Sequence, residues 1–144
     1  MTISLSSRAE LLSNLILELL EILRDRQGDT WTAITRLASG KSATIAIDDT
    51  RLYVQAAGEQ ELKLQIKAAE PEVDNSFESK SEALRNVIFG RSSLDKSVAA
   101  GKIFIRASFG DLLKIRSVVS AVLADTVNEP RLQQLWERFD REWS

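Results

Sequence analysis

The 144-residue chain contains no histidine and no cysteine. Without cysteine it has no side chain for a disulfide, a thiol nucleophile or an iron–sulfur cluster. Without histidine it lacks a common zinc ligand and the general base of serine-type catalytic triads. Catalysis would have to rely on carboxylates, lysine, arginine, serine, threonine or the single tyrosine, Tyr53. We therefore expect a protein that is not a conventional enzyme and that uses no cofactor and no metal.

An excess of one charge is also missing, because 19 basic residues stand against 21 acidic ones and the net charge is −2. Proteins that bind nucleic acids by neutralising phosphates usually carry a basic excess, so we expect no nucleic-acid partner. Long hydrophobic runs are absent because Glu10, Glu18 and Glu21 interrupt the apolar residues near the N-terminus. We expect no signal peptide, no integral membrane association and, by default, a cytoplasmic location. The length predicts one domain over residues 1–144.

Apolar residues at three- and four-residue spacing predict an amphipathic helix at each end of the chain. Ser7 and Glu10 have the spacing of a capping box, and the pattern after them predicts a helix over 8–27. Pro130 is tolerated in a first helical turn, which predicts a last helix over 131–143. One side of this last helix carries Trp136, Phe139 and Trp143. We interpret this stripe as core packing, with a membrane surface or a protein partner as the alternative. Either terminal helix is a candidate contact of a homodimer.

The middle of the chain predicts an α+β fold. Polar and apolar residues alternate with a period of two over residues 42–68, and this pattern is typical of a three-stranded antiparallel meander. The strands are predicted over 43–47, 51–56 and 61–68, with an edge strand around 73–77 and a last strand over 102–107. Helices are predicted over 80–89, 93–100 and 109–126, the second capping box lying at Ser79–Glu82. The helix over 109–126 is apolar over more than half its circumference and should be largely buried. We expect about five strands in a mostly antiparallel sheet, covered on one face by helices, with the other face partly wet.

Three motifs that could carry chemistry give weak signals. Gly40-Lys41-Ser42 lacks the earlier glycine of a phosphate-binding loop and leads into a strand instead of a helix. Ser93 and Lys96 fit S-x-x-K without its companion motifs, so a helix cap and a solvated lysine are favoured. The acidic residues Asp48, Asp49, Glu70, Glu72, Asp74 and Glu78 lack the spacing of a calcium loop. A solvated turn and a solvated loop are the favoured interpretations of these carboxylates.

The segment from Val73 to about Leu123 resembles the sterol carrier protein type-two family of small lipid-transfer domains. The resemblance begins with the extended element Val73–Phe77 and continues through the helix that ends at Gly90 before Arg91. It then follows the next helix, Gly101-Lys102 and the alternating strand to Arg106, and enters the long helix at Asp111-Leu112-Leu113. The meander and a leading helix agree with the family's order of elements, whereas the C-terminal helix is an addition.

The resemblance implies a carrier that buries an apolar, lipid-like ligand, fatty acyl or sterol-like, in an internal hydrophobic cavity without catalysis. The candidate lining residues are Leu84, Val87, Ile88, Phe89, Ile103, Ile105, Leu112, Ile115, Val119 and Val122. Each of these is also a plain candidate for the core. A protein-interaction or dimerisation module of the same fold, without a lipid, is the first alternative, and an accessory domain to an enzyme is the second.

Overall fold

The computed structural model describes residues 7–57, 63–67 and 73–143 of the chain. In chain order the elements are α1 (Ser7–Arg26), α2 (Asp29–Ala38), β1 (Ser42–Ile47), β2 (Thr50–Ala57), β3 (Lys63–Lys67), β4 (Asn75–Ser79), α3 (Ser81–Ile88), α4 (Leu94–Ala99), β5 (Ile103–Arg106), α5 (Phe109–Thr126) and α6 (Pro130–Glu142). The predicted turn over 58–60, the outer residues of the strand predicted over 61–68, and Glu70 and Glu72 lie outside the described residues.

The strands form one sheet in the order β3-β2-β1-β4-β5. β1 pairs antiparallel with β2, β2 with β3 and β4 with β5, whereas β1 and β4 run parallel. The fold class α+β is therefore confirmed, and the sheet is mixed. The predicted edge strand begins two residues later than expected, at Asn75, and it lies inside the sheet between β1 and β5. The acidic composition around it suggested an edge, but a parallel partner 32 residues away along the chain leaves no local pattern in the sequence.

The two faces of the sheet differ in what covers them. On one face, Ala43, Ile45 and Ile47 of β1 point toward α1, α2, α3, α5 and α6, which all contribute to the same pocket. On the other face, Ala46 lies between Arg51 of β2 and Glu78 of β4. The guanidinium of Arg51 donates to the Glu78 carboxylate at 2.7 Å. That ion pair spans Ala46, so a small apolar residue is buried on the polar side of the sheet.

The main hydrophobic core joins the two ends of the chain. α1 packs against α6, and Ile22 and Leu23 of α1 meet Leu132 and Leu135 of α6 in one cluster of almost completely buried side chains. Trp143, directly after α6, is 1% exposed and belongs to the same cluster. The interpretation of the C-terminal aromatic stripe as core packing is therefore confirmed for Phe139 and Trp143, which are both buried.

Asp48 connects three parts of the fold that are far apart in sequence. Its carboxylate accepts hydrogen bonds from the backbone N–H of Ser81 and from the indole N–H of Trp143, each at 2.9 Å. The predicted capping box at Ser79–Glu82 is wrong, because the residue before the helix is Lys80 and its side chain makes no cap. Asp48 supplies the acceptor at this helix N-terminus from the turn between β1 and β2, where it has a positive φ of 55°.

Threonine hydroxyls make hydrogen bonds inside α2, which contains three β-branched threonines. Thr32 donates to the carbonyl of Gly28, and Thr35 donates to the carbonyl of Thr32. Such bonds satisfy β-branched polar side chains inside a helix. Gln27 and Gly28 both have positive φ and separate α2 from α1.

Within the described part of the chain, the helices are too short or too polar for any of them to span a lipid bilayer.

Candidate functional site

An apolar pocket of about 440 Å³ lies between the sheet and the helical layer. Pockets that hold small ligands usually have volumes of roughly 300 to 1,000 Å³ and mostly apolar walls. Of the described residues, four strands and five helices contribute to this pocket, and all but four of the lining side chains among them are apolar. The four polar ones are Lys41, Ser42, Asn75 and Ser76.

Most of the lining residues proposed from the sequence meet at this pocket. Those on its wall are Leu84, Val87, Ile88, Ile105, Ile115, Val119 and Val122. Three others lie elsewhere. Phe89 is 42% exposed at the end of α3 and has the Arg91 guanidinium over its ring. Ile103 is buried in a small cluster with Ala83 and Val87, and Leu112 is a partly buried residue of α5 outside the pocket wall.

The sequence did not identify the other 21 of the 28 residues on the wall. Most of these residues come from α1, α2, β1, β2, β4 and α6, and examples are Leu15, Ile34, Leu37, Ile45, Val54, Phe77 and Trp136. The strand residues could have been found, because Ala43, Ile45 and Ile47 alternate along one face of a recognised strand. The helical contributions of α1 and α6 depend on how these helices cross the sheet, which periodicity does not specify.

The helix α5 forms one wall of the pocket, and its exposure corrects the prediction that it is largely buried. Only Asp111 and Val122 of its residues are buried, although the helix is apolar over much of its circumference. Ile115, Val118 and Val119 face the pocket, so their side chains keep accessible surface where a filled core would cover them. On the outside, Phe109 and Leu113 are 76% and 45% exposed.

The polar residues of the wall lie together at the end of the sheet where β1 and β4 begin. Asn75 pairs with Ala43 in the parallel register, and the carboxylate of Asp74 accepts from the backbone N–H of Ser42 at 2.9 Å. Asp74 therefore joins the starts of the two strands. The Lys41 side chain is 34% exposed, so this end of the pocket is within reach of water.

Asp111 holds the polar end in place from the first turn of α5. Its carboxylate accepts from the ammonium of Lys41 and, at 3.3 Å, from the amide of Asn75. The Lys41 hydrogen bond, opposed by burial and assisted by Asn75, holds the pKa of the Asp111 carboxyl below its ordinary value. Its own backbone N–H donates to the hydroxyl of Ser108, which caps the helix. Lys41 is thus an ion-pair partner at the start of a strand, which agrees with the rejection of a phosphate-binding loop.

The other candidate motifs have structural partners. The hydroxyl of Ser93 accepts from the backbone N–H of Lys96, which confirms its interpretation as a helix cap. Asp49 lies 3.7 Å from Arg8 with its side chain 88% exposed, as expected for a solvated turn. Burial would raise the pKa of Asp48, but the hydrogen bonds from Ser81 and Trp143 outweigh it and lower that pKa overall.

The helices considered as dimer contacts cover each other within one chain. In α1 the residues Leu12, Leu15, Ile22 and Leu23 are buried, and in α6 Leu132, Leu135 and Phe139 are buried. Arg138 of α6 donates to Glu18 of α1 at 2.8 Å across the same contact. Of the large apolar side chains of α1, Leu17 remains exposed at 44%.

Two solved structures share this arrangement of elements. Sterol Carrier Protein 2 from Yarrowia lipolytica, in its apo form, matches with a TM-score of 0.52 and 9% identity over 83% of this chain and 95% of that one. The solution structure of sterol carrier protein domain 2 of Helicoverpa armigera matches with a TM-score of 0.51 and 18% identity over 74% of this chain and 87% of that one. No protein-family model and no curated protein sequence matches the chain. The resemblance is confirmed at the level of architecture: the chain has the fold of sterol carrier protein 2.

Proposed function

We propose that the protein is a non-catalytic carrier that binds an apolar, lipid-like molecule, fatty acyl or sterol-like, in the pocket between the sheet and α5. The observation that carries the proposal is the pocket itself, which has apolar walls and one polar end. The sterol carrier proteins of Yarrowia lipolytica and Helicoverpa armigera share the fold and support the same function by analogy.

The driving force would be removal of the ligand from water. Each methylene group buried against residues such as Ile45, Val118 and Trp136 contributes about 0.8 kcal/mol. No bond of the ligand has to break or form, and the ammonium of Lys41, which lines the pocket, is already paired with the carboxylate of Asp111. Binding and release, without a chemical step, account for the arrangement of the site.

Native mass spectrometry of the purified protein, followed by lipid extraction, tests the proposal. We expect a bound species with a mass shift that disappears on denaturation, and an extract containing an apolar lipid at near-stoichiometric amount. Val118→Phe fills part of the pocket and should abolish the bound species. Val127→Phe makes the same change at a side chain that is 73% exposed at the end of α5, and it should leave the bound species intact.

A clean apo mass with no extractable lipid, together with no uptake of added alcohol or fatty acid, would contradict the carrier function. The interaction module would then become the better explanation. The mass of the intact species in the same spectrum would show whether two copies associate.

A further inference from the structure

The exposed apolar side chains of the protein are concentrated in one segment of the chain. Seven large apolar side chains are exposed in the described ranges 7–57, 63–67 and 73–143, and five of them lie within residues 89–116. They are Phe89, Val98, Phe104, Phe109 and Leu113. Single exposed apolar residues need no explanation, but a concentration of them marks a surface where something binds.

The same segment carries an excess of basic residues, although the whole chain has a net charge of −2. It contains two acidic residues against six basic ones, all of them exposed: Arg91, Lys96, Lys102, Arg106, Lys114 and Arg116. Of the two acidic residues, Asp95 pairs with Arg116 at 2.8 Å, and Asp111 pairs with Lys41 from outside the segment. The segment therefore presents a positive surface in a chain that is acidic elsewhere.

β5 and the start of α5 bring apolar and basic side chains together at one edge of the sheet, because β5 is its last strand. Ile105 lines the pocket, so Phe104 and Arg106 point to the opposite side of the strand. Phe109 and Leu113 are exposed one turn apart in α5. Phe104 and Phe109 are five residues apart, which limits their separation to roughly 18 Å. We call this set of side chains the basic edge: Phe104, Arg106, Phe109, Leu113 and Lys114.

The charge of the basic edge argues against a second copy of the chain as its partner. In a symmetric dimer the same surface of both copies would meet, and Arg106 and Lys114 would face like charges. Anionic phospholipids supply the opposite charge, and the boundary between headgroups and acyl chains accepts exposed aromatic and aliphatic side chains. A lipid surface therefore complements both the charge and the apolar character of the basic edge.

The position of the basic edge relative to the pocket also favours a lipid surface over an acidic protein. The side of α5 that lines the pocket carries Ile115 and Val118, whereas Phe109 and Leu113 are exposed on the outside. A bilayer touching that outside would lie about one helix diameter, roughly 10 Å, from the pocket. A carrier of apolar ligands has to collect and release them at membranes, so this step rests on the proposed function.

We propose that the basic edge is a docking surface for membranes that contain anionic phospholipids. Phe104 and Phe109 enter the boundary between headgroups and acyl chains, while Arg106 and Lys114 contact lipid phosphates. The contact is peripheral, with α5 lying between the bilayer and the ligand pocket.

Flotation of the intact protein with lipid vesicles tests the proposal. Vesicles of phosphatidylcholine are compared with vesicles that contain about 30% phosphatidylglycerol. We expect at least tenfold stronger binding to the anionic vesicles at about 0.05 M salt, and loss of most of that preference at about 0.5 M salt.

Two pairs of variants locate the contact. Phe109→Ser should weaken binding to anionic vesicles about tenfold, whereas Val127→Ser, at a side chain 73% exposed at the other end of α5, should leave it unchanged. The double variant Arg106→Gln/Lys114→Gln should weaken binding about twentyfold. Its control is Arg24→Gln/Arg36→Gln, which removes two exposed charges from α1 and α2 and should have little effect. Thermal unfolding shows that each variant is folded.

Tryptophan fluorescence distinguishes insertion from purely electrostatic adsorption. Phe109→Trp should be quenched by anionic vesicles whose acyl chains carry bromine, and Val127→Trp should not exceed the quenching of the wild type. The native tryptophans are the same in both variants and provide the background.

Equal binding to neutral and anionic vesicles, or no binding to either, would overturn this inference alone if lipid extraction still finds a ligand in the pocket. Binding that survives both Phe109→Ser and Arg106→Gln/Lys114→Gln would also overturn it. A dimer mass in native mass spectrometry that Phe109→Ser abolishes would replace the membrane with a second copy. Vesicle binding through the basic edge without any extractable ligand would support the docking surface and contradict the carrier function.

Discussion

Truncating one isoleucine in the core and one at the pocket tests whether the pocket is an empty space beside α5. Ile22 of α1 is 1% exposed and belongs to the main core cluster. Ile115 of α5 is partly buried and faces the pocket. Both side chains lie inside helices, so the gain in helix propensity on changing isoleucine to alanine is the same for the two.

The two substitutions should lower the free energy of unfolding by different amounts, because only Ile22→Ala opens a new void. Ile22→Ala removes three buried carbons, worth about 2 to 3 kcal/mol in transfer free energy. Incomplete relaxation around the void raises the expected loss to about 4 kcal/mol. Ile115→Ala enlarges a space that already exists, and the expected loss is about 1 kcal/mol.

Urea unfolding followed by far-ultraviolet circular dichroism measures both losses, with free energies extrapolated linearly to water. Equal destabilisation by Ile22→Ala and Ile115→Ala would mean that α5 packs against a filled core and that no pocket lies beside it. A loss above about 3 kcal/mol for Ile115→Ala alone would lead to the same conclusion.

Three further predictions concern the structure around the site. Asp48→Ala should lower the free energy of unfolding by about 2 kcal/mol, because the N–H groups of Ser81 and Trp143 lose their acceptor, whereas Asp49→Ala should stay within about 0.5 kcal/mol. Urea unfolding distinguishes the two. The lowered pKa of Asp48 contributes stability that is fully present above the ordinary value of 3.8 and is lost as the pH falls through the lower folded value. Asp48→Asn should therefore lose less stability than the wild type between about pH 5 and pH 2, and parallel slopes in denaturation at several pH values would contradict this. Ser108→Ala removes the cap of α5 and should cost about 1 kcal/mol, while Ser117→Ala on the exposed side of the same helix should cost nothing measurable in thermal unfolding.

Local periodicity predicted the elements well because side chains of one helix or strand share their environment. The helix predicted over 8–27 lies at Ser7–Arg26, and the one predicted over 109–126 lies at Phe109–Thr126. The bounds of the first two strands differ from those predicted by one residue at most. What periodicity missed is contact between distant segments, such as the parallel pairing of β1 with β4.

The candidate site was predicted only in part, because the sequence pattern does not show which distant segments come together. The resemblance covered α3, β5 and α5, and these elements supply the seven predicted residues that line the pocket. The polar end was not recognised, because Lys41 and Asp111 are 70 positions apart in the sequence. The motif that contains Lys41 had been rejected as a phosphate-binding loop, and Asp111 belongs to no recognised binding motif. The buried Oδ1 of Asn75, which has no hydrogen-bond partner among the described residues, is found only when the three-dimensional contacts are known.

Methyl NMR of isoleucine-labelled protein tests whether an apolar ligand occupies the pocket. On titration with decan-1-ol, we expect shifts of the δ1-methyl signals of Ile45, Ile88 and Ile115, which line the pocket. The signals of Ile22 and Ile103, which are buried outside it, should move little. Unchanged spectra, or shifts as large at Ile22 and Ile103 as at the pocket, would contradict binding of an apolar ligand in the pocket.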